Sequence, residues 1–347
     1  MEGQSLEWRR RAEARIRELT MPRGALGRLL ELAVDLAGMT RTLAVPTARK
    51  CVVLLAGDHG IAREGVCPQP SVVTRQMMRN FLAGGAAINV LAGVAGARLE
   101  LVDMGVAGDL RDLHATGRVR DCRIGDGTAD FAVGPAMTRE QAERSVAAGR
   151  GIAEELSAST DLFGVGEMGI GNSSPAAAIV TVLAGESDPA PYVGPGAGLP
   201  PERLAHKATV IRQGIDINRP NPDDALDVLA KVGGFEIGGI AGVILGAAEA
   251  HRPVLVDGFI ATAGALLAAT LEPASRDYMI LAHGSAEPGH RKMAELLGKR
   301  PLLDLGMRLG EGTGAALAMP IVESAAAILA RMATFDSARV TTEGIRS

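Results

Sequence analysis

Five segments of this chain share one pattern: a short apolar run rich in β-branched residues, then glycine and a polar or ionisable residue, then a helical stretch. They lie at residues 51–60, 99–106, 162–171, 253–260 and 278–290. Strands that are apolar throughout are typical of a parallel sheet, because right-handed crossover connections place helices over both of its faces. The pattern therefore predicts an α/β fold with a Rossmann-like parallel sheet and helices on both faces.

Each predicted strand is followed by at least one side chain that can carry chemistry. In order along the chain these are Asp58 with His59, Asp103, Glu167, Asp257 and His283. Taken singly, such a residue is more often a cap or a turn residue than a catalytic one. In a parallel sheet, however, the carboxyl ends of the strands meet at one edge, where ligands bind. The repetition therefore predicts a site at that edge.

The two chain ends have helical character. Residues 26–37 place leucine, valine and alanine on one helical stripe, so the first 45 residues are predicted to be helical. Residues 313–333 predict a C-terminal helix with a bend at Pro320, because proline lacks the backbone donor. We expect residues 1–45 and 305–347 to form a small helical domain beside a large α/β catalytic domain at residues 46–304.

Composition and charge exclude several classes of protein. Lysine and arginine total 36 against 40 acidic residues, so the chain lacks the basic surface that nucleic-acid binding requires. Three separated cysteines and six histidines show no metal-ligand spacing, which predicts reduced thiols and no metal. The charged N-terminus and the lack of an uninterrupted apolar run of about 18 residues predict a cytoplasmic protein without a membrane span.

Glycine-rich turns supply candidate phosphate sites. Gly164, Gly166 and Gly169 formally match the dinucleotide fingerprint, but Glu167 stands at its centre, where a carboxylate would repel a diphosphate. A nicotinamide-dependent dehydrogenase would also need an acidic residue about 20 positions on at a strand end. The following stretch, 171–174, could hold one phosphate through backbone amides and two hydroxyl groups, or could simply be a turn.

Sequence spacing alone does not decide the roles of two charged residues that lie near glycines. Lys207 follows the flexible loop 194–198 and could bind a phosphate, although a single lysine more often lies on a solvated helix face. Glu311 stands inside Gly-Glu-Gly-Thr-Gly at residues 310–314. A carboxylate held there by backbone geometry could act as a general base, or could only complement a helix dipole at the N-terminus.

A series of longer motifs makes the chain resemble a known enzyme family from about Leu19 to Met332. The motifs are MPRGALGRLLELAVDLAGM, GDHGIAREGV, GGAAINVLA, GVGEMGIGNSSPAAA, DVLAKVGGFE, LVDGFIA and MRLGEGTGAALAMP. In length and order they are similar to those of the nicotinate-nucleotide:dimethylbenzimidazole phosphoribosyltransferases. These enzymes move a phosphoribosyl group from nicotinate mononucleotide to an aromatic base for the lower-ligand nucleotide of cobalamin.

The resemblance implies a parallel-sheet domain, a small domain from both chain ends, and a homodimer without metal or organic cofactor. It implies Glu311 as the catalytic base and Glu167 as the second carboxylate of the active site. The positions implied for ribose and phosphate are Gly169, Gly171, Asn172, Ser173, Lys207, Gly258, Ser285 and Arg308. Those implied for the acceptor base are Gln69, Pro70, Met77, Met168 and Leu309.

Some positions depart from the family pattern. Many relatives carry an arginine and a threonine in the loop that here spans 194–198, and an arginine where this chain has Gly284. Residues Gln69 and Met77 occupy positions that vary between relatives, so the acceptor stays open between 5,6-dimethylbenzimidazole and a related base. A homologue specialised for another base, or a non-catalytic subunit of a hetero-oligomer, is the remaining alternative. Both candidate glutamates are retained, which disfavours the non-catalytic alternative.

Overall fold

The computed structural model describes residues 1–341 of the chain and contains one parallel sheet of six strands in the order β3-β2-β1-β4-β5-β6. The strands are β1 (Lys50–Gly57), β2 (Ala97–Gly105), β3 (Val119–Asp121), β4 (Leu162–Met168), β5 (Val254–Val256) and β6 (Met279–Leu281). All five neighbouring pairs are parallel. The predicted sheet is confirmed, and the sequence pattern missed only the short edge strand β3.

Helices connect the strands and cover the sheet. They are α1 (Leu6–Glu18), α2 (Arg28–Thr40), α3 (Val72–Ala83), α4 (Ala87–Ala95), α5 (Arg111–His114), α6 (Arg139–Ser157), α7 (Ser173–Leu183), α8 (Leu204–Asn218), α9 (Ala225–Val232), α10 (Phe235–Glu249), α11 (Phe259–Leu271), α12 (Gly289–Leu297), α13 (Thr313–Arg331) and α14 (Phe335–Ala338). Short 3-10 helices lie at Gly60–Glu64, Ala190–Tyr192, Pro201–Arg203 and Pro273–Tyr278.

Strand β1 shows why the strands are apolar throughout. Val53 and Leu55 pack into a cluster formed with α6, α7, α10 and α11, whereas Val52 and Leu54 pack into a second cluster with α2, α4 and α13. Since successive side chains of a strand point to opposite faces, both faces of the sheet are buried. Each fully buried valine or leucine stabilises the fold by about 1.5–3 kcal/mol relative to exposure.

Close helix packing requires glycine at some positions of the chain. A methyl group on Gly149 of α6 would lie 1.9 Å from the carbonyl oxygen of Gly239 on α10, and one on Gly242 would lie 2.0 Å from that of Val146. Neither position has room for a side chain, so the two helix backbones approach each other directly. Glycine here is required by contact between helices rather than by turn geometry.

The chain ends pack together and onto the sheet. Leu19 forms an antiparallel bridge with Thr334, and the guanidinium group of Arg15 donates to the carbonyl oxygen of Met332 across 2.9 Å. The prediction that the first 45 residues are helical holds for α1 and α2 but is wrong for residues 1–5, 19–27 and 41–45. Leu19 instead pairs with the other chain end. Helix α13 runs continuously through Pro320. The division into two domains stays a prediction.

Among residues 1–341, two helical stretches are long and apolar enough to cross a membrane by length and composition alone, so the absence of a membrane span stays a prediction. The first, Val72–Ala95, consists of α3 and α4 separated by Gly84 and Gly85. The second is α13, and ten of its residues are buried in the core. Helix α13 is apolar because it covers the sheet, and a buried core helix passes the same test of length and composition.

Candidate active site

The predicted polar residues lie at the carboxyl ends of five strands, and Asp58, Asp103, Glu167, Asp257 and His283 are all at most 5% exposed. They do not form one cluster. Asp58 accepts hydrogen bonds from Thr74 and from the backbone amide of Ala107, and Asp103 accepts them from the amides of its own turn. The Glu167 and Asp257 side chains instead lie beside the loop that carries Glu311.

Glu167 and Glu311 are joined through their backbones. The amide of Glu311 donates to the carbonyl oxygen of Glu167 across 3.2 Å, and the Glu167 carboxylate lies against Gly310 and accepts a hydrogen bond from the side-chain amide of Asn172. Burial, with the nearby carboxylates of Asp257 and Glu236, raises the pKa of Glu167 to about 8. Glu167 is therefore mainly neutral at pH 7 and can donate a hydrogen bond.

Glu311 adopts a backbone conformation that is rare for a residue with a side chain. Its φ is +62°, between Gly310 at +88° and Gly312 at +85°. A left-handed conformation costs a non-glycine residue roughly 1–2 kcal/mol, and such strain concentrates at functional sites. The strained loop is held between the end of β4 and the start of α13.

The Glu311 carboxylate reaches a second helix. Its Oε2 atom accepts a hydrogen bond of 3.3 Å from the backbone amide of Ile88 at the start of α4. Burial raises the pKa of Glu311, and this amide partly opposes the shift. The carboxylate does complement a helix N-terminus, but the helix is α4 rather than the one that follows it in sequence. This contact is compatible with both roles predicted for Glu311, that of a general base and that of a partner for a helix N-terminus.

Lys207 is buried, so the surface interpretation of this residue is wrong. Its side chain is 1% exposed, and Nζ donates to the Ser173 hydroxyl group across 2.8 Å and to the Gly194 carbonyl oxygen across 2.9 Å. Burial lowers the pKa of this ammonium group, and Glu287 acts in the opposite direction. A buried ammonium group beside a hydroxyl at the start of α7 is a suitable arrangement for binding an anion.

The loop 194–198 is also fixed by charged side chains. Arg308 donates to the carbonyl oxygen of Gly196 across 2.9 Å, while the carboxylate of Glu287 accepts from its amide at the same distance. Arg308 and Lys207 therefore both bind carbonyl oxygens of the loop. Of these two cations, Lys207 also contacts Ser173 in the predicted phosphate region.

The remaining predicted glycine and serine positions form tight turns at the same edge. A side chain on Gly169 would lie 2.2 Å from the carbonyl oxygen of Gly57, and Gly171 has a φ of +94°. Gly258 lies against His283 and Ser285, and a methyl group on it would lie 3.0 Å from Nε2 of His283. These contacts fit glycines that form tight turns. Because glycine has no side chain, the same positions also leave room for a ligand to approach the backbone at this edge.

The predicted acceptor residues divide into two groups. Met77 of α3 and Met168 of β4 are half-buried and pack against the same apolar cluster. Gln69, Pro70 and Leu309 are exposed, Leu309 by 58%. They lie on the loops that precede α3 and Gly310 respectively. The two methionines thus border the same hydrophobic core, whereas the other three residues are available to solvent.

Thr74 connects α3 to the site. Its hydroxyl group donates to Asp58 across 2.7 Å and accepts from the backbone amide of Ile170 across 3.1 Å. Because both bonds are buried, α3 is fixed against the ends of β1 and β4. This contact brings the segment from Gln69 to Met77 to the edge that carries Glu167.

Glu236 and Glu287 were missed from the sequence because neither immediately follows a strand. Glu236, at the start of α10, is fully buried and lies 2.8 Å from Nε2 of His59. In the sequence it ends the motif DVLAKVGGFE, directly after the Gly233-Gly234 pair and Phe235, and a side chain on Gly234 would lie 2.4 Å from His59. Glu287 lies four positions after His283. The pattern used above considers only the first polar residue after each strand, so it does not include Glu287.

One group of metal-ligating residue types occurs among residues 1–341, formed by Asp103, His114 and Asp121. The His114 ring already bridges the two carboxylates at 3.1 and 3.5 Å, and Arg123 lies 3.8 Å from Asp103. These charges pair with one another. The group therefore resembles an ion-pair network more than a metal site.

Comparison with known proteins agrees with this architecture. A family profile described as "Phosphoribosyltransferase" matches residues 1–340. Nicotinate-nucleotide–dimethylbenzimidazole phosphoribosyltransferases from Syntrophotalea carbinolica and Desulfotalea psychrophila are 56% and 52% identical to the chain. The alignments cover 96% and 95% of this chain and 94% and 93% of those proteins.

Solved structures give the same result. Crystal structures from Thermus thermophilus, described as CobT and as nicotinate-nucleotide–dimethylbenzimidazole phosphoribosyltransferase, superpose with TM-scores of 0.92 and 0.91 at 44% identity. They cover 96% and 97% of this chain, and the chain covers 99% of each. The similarity thus extends over sequence and fold together, and the chain belongs to the nicotinate-nucleotide–dimethylbenzimidazole phosphoribosyltransferase family.

Proposed function

We propose that this enzyme transfers the 5-phosphoribosyl group of nicotinate mononucleotide to 5,6-dimethylbenzimidazole or a related base, giving α-ribazole 5′-phosphate and nicotinate for cobalamin assembly. The observation that carries the proposal is the position of Glu311. Its carboxylate is held at a buried edge beside the neutral Glu167, within a chain that matches the family over almost its whole length.

The reaction suits an edge that carries buried carboxylates. The nitrogen of the nicotinate group is a cationic pyridinium in the substrate, so the C1′–N bond can break with its electron pair moving to that nitrogen and without an acid. The ribosyl carbon then gains oxocarbenium character, as in glycoside cleavage. Negative charge on the carboxylates at this edge favours the positive charge that develops at the ribosyl carbon in the transition state.

Glu311 would activate the acceptor. One benzimidazole nitrogen attacks C1′ with its lone pair while the other must lose its proton, and a carboxylate within hydrogen-bond reach can accept it. Burial raises the pKa of Glu311 and so makes the carboxylate a stronger base. Attack from the face opposite nicotinate converts the β-linkage into an α-linkage. Glu167, neutral at pH 7, would donate a hydrogen bond beside it.

The phosphate would lie at the start of α7. Lys207 and the Ser173 hydroxyl group would supply donors there, with the amide of Gly171 next to the N-terminal end of the helix. Arg308 would approach from the opposite loop, and Gly258 with Ser285 would leave room for the ribose. Binding energy from the phosphate would then orient C1′ toward the acceptor.

The acceptor would lie between Met77, Met168 and Leu309, with Gln69 and Pro70 at the rim. Methionine side chains adapt to flat aromatic rings. We also propose that the enzyme is a cytoplasmic homodimer, and that the helices of both chain ends form a small domain. These three points rest on the family resemblance and on the packing of Leu19 against Thr334.

The direct test is incubation of the purified single chain with nicotinate mononucleotide and a panel of bases, with products identified by mass. Formation of ribazole phosphate supports the proposal. Formation of a nucleotide from another base alone would support a specialised homologue, and no product with any base would support a non-catalytic subunit. Nicotinate release without a base would measure hydrolysis separately.

A further inference from the structure

Asp257 binds the segment that carries Glu311. Its Oδ2 atom accepts a hydrogen bond of 3.0 Å from the amide of Gly312, and Oδ1 accepts bonds of 2.7 and 3.1 Å from the amides of Gly314 and Ala315. The aspartate directly follows β5 and is 1% exposed. One buried carboxylate therefore satisfies three backbone donors at the start of α13.

These bonds oppose the strain in the neighbouring loop. Gly310, Glu311 and Gly312 all have left-handed backbone conformations, which an isolated chain would rarely adopt in succession. On the other side the loop is pressed against β4, where a side chain on Gly166 would lie 2.3 Å from the amide of Gly312. With β4 on one side and Asp257 on the other, the backbone of Glu311 has little freedom to move.

The surroundings of Asp257 are mostly anionic or neutral. His283 lies 3.5 Å from its Oδ1 atom, and Asp257 raises the pKa of this histidine against the effect of burial. Burial is the main cause of the raised pKa of both Glu167 and Glu311, and the charge of Asp257 raises both pKa values further. Glu236 on α10 acts in the same direction on Glu167, and the amide of Ile88 on α4 opposes the shift at Glu311.

We propose that Asp257 is a positioning residue that fixes the left-handed Glu311 loop, so that the Glu311 carboxylate is oriented toward the acceptor nitrogen before substrate binds. The inference rests on the proposed function, since it concerns how that reaction is catalysed. Among the described residues, the polar contacts of the Asp257 carboxylate are with the amides of Gly312, Gly314 and Ala315 and with His283, so it acts through Glu311.

The test compares Asp257→Asn with Asp257→Glu. Asparagine keeps the shape but removes the charge and replaces at least one acceptor, so we expect kcat to fall about 10- to 100-fold with KM for nicotinate mononucleotide changed less than about threefold. The acidic limb of the kcat–pH profile should move to lower pH, because the pKa of Glu311 falls without the neighbouring charge. Glutamate keeps the charge and displaces the loop, so kcat should fall without a shift of that limb.

Asp161→Asn is the matched control. Asp161 is a buried aspartate that also accepts a backbone amide, that of Arg49, but it precedes β4 and so lies at the end of the sheet opposite the site. Its replacement should lower the melting temperature and leave kcat and the pH profile unchanged. Thermal unfolding of all variants identifies any that are not folded at the assay temperature, and the Asp257→Glu variant carries the test if Asp257→Asn is one of them.

A double-mutant cycle gives the sharpest result. If Asp257 acts through Glu311, Asp257→Asn should cost less than about threefold in a Glu311→Gln background. An equal loss in both backgrounds, or wild-type kcat in both Asp257 variants, would overturn the inference. An inactive wild-type enzyme would instead overturn the proposed function, so the two failures are distinguishable.

Discussion

The backbone amide of Glu311 donates to the carbonyl oxygen of Glu167, and this single bond of 3.2 Å joins a strand end to a left-handed loop from a distant part of the chain. Burial raises the pKa of both carboxyl groups, and at Glu167 the neighbouring carboxylates of Asp257 and Glu236 add to the effect, so that its pKa reaches about 8. Two carboxyl groups whose environments differ in this way can divide the roles of hydrogen-bond donor and base.

The raised pKa of Glu167 predicts a pH-dependent stability. The folded state keeps its proton up to about pH 8, whereas the unfolded chain releases it near the ordinary value of 4.5. The favourable contribution is therefore complete below pH 4.5 and is lost as the pH rises to about 8, with a slope of at most about 1.4 kcal/mol per pH unit. Glu167→Gln removes this dependence, so its melting temperature relative to wild type should rise between about pH 5 and 8.

The control for this prediction is Glu154→Gln, at an exposed position of α6. Its melting temperature should follow that of the wild type at every pH. A constant difference between Glu167→Gln and wild type across the range would show that Glu167 ionises normally in the folded protein.

The position of Lys207 predicts a phosphate-specific defect. Methionine fills a similar volume but cannot donate, so Lys207→Met should lower kcat/KM for nicotinate mononucleotide about 10- to 100-fold, the usual value of a charged hydrogen bond. The dephosphorylated nucleoside should lose much less. The control is Lys292→Met, which removes the ion pair between Lys292 of α12 and Glu186 and should affect neither substrate. Equal losses for both substrates in Lys207→Met would place the phosphate elsewhere.

The two methionines predict a permissive acceptor site. Apolar pockets discriminate one methyl group by only about 1–3 kcal/mol. In a competition at equal concentrations, 5,6-dimethylbenzimidazole should be preferred, benzimidazole and methylbenzimidazoles should also be used, and adenine should react more slowly because its polar edge would be desolvated without partners. Gln69 is exposed at the rim and could pair with a polar base. Adenine or a phenol outcompeting dimethylbenzimidazole would contradict this view of the pocket.

The sheet could be predicted from the sequence because the pattern that specifies most of its strands lies within a few consecutive residues. Strands β1, β4, β5 and β6 contain continuous apolar runs, β2 contains a shorter one after Glu100, and all five have a glycine and a polar side chain at or just after their ends. The pattern therefore predicts the existence of each strand, its direction and the edge that carries the site. Strand β3 is only three residues long, Val119–Asp121, and it lies at the edge of the sheet without an apolar run. Its pairing with β2 is set by tertiary contact.

The site was harder to predict, because several of its contacts join residues that are far apart in the sequence. Glu167 and Asp257 lie at the carboxyl ends of strands, and such positions meet at one edge of a parallel sheet, so their location could be predicted. Glu236 reaches the edge from a helix, and the burial of Lys207 depends on a loop that closes over it. The left-handed conformation of Glu311 is suggested by its flanking glycines, but its contact with Ile88 links it to α4, a helix from the first third of the chain.

The role of Glu311 as base is tested most directly by the turnover of Glu311→Gln with nicotinate mononucleotide and 5,6-dimethylbenzimidazole. Glutamine keeps the shape and can still accept from the amide of Ile88, but it cannot take the acceptor's proton. We predict that ribazole phosphate forms roughly 10²- to 10⁴-fold more slowly than with the wild type, at a similar melting temperature. Turnover close to wild type, under conditions where the chemical step is shown to limit the rate, would contradict the assignment of Glu311 as the base.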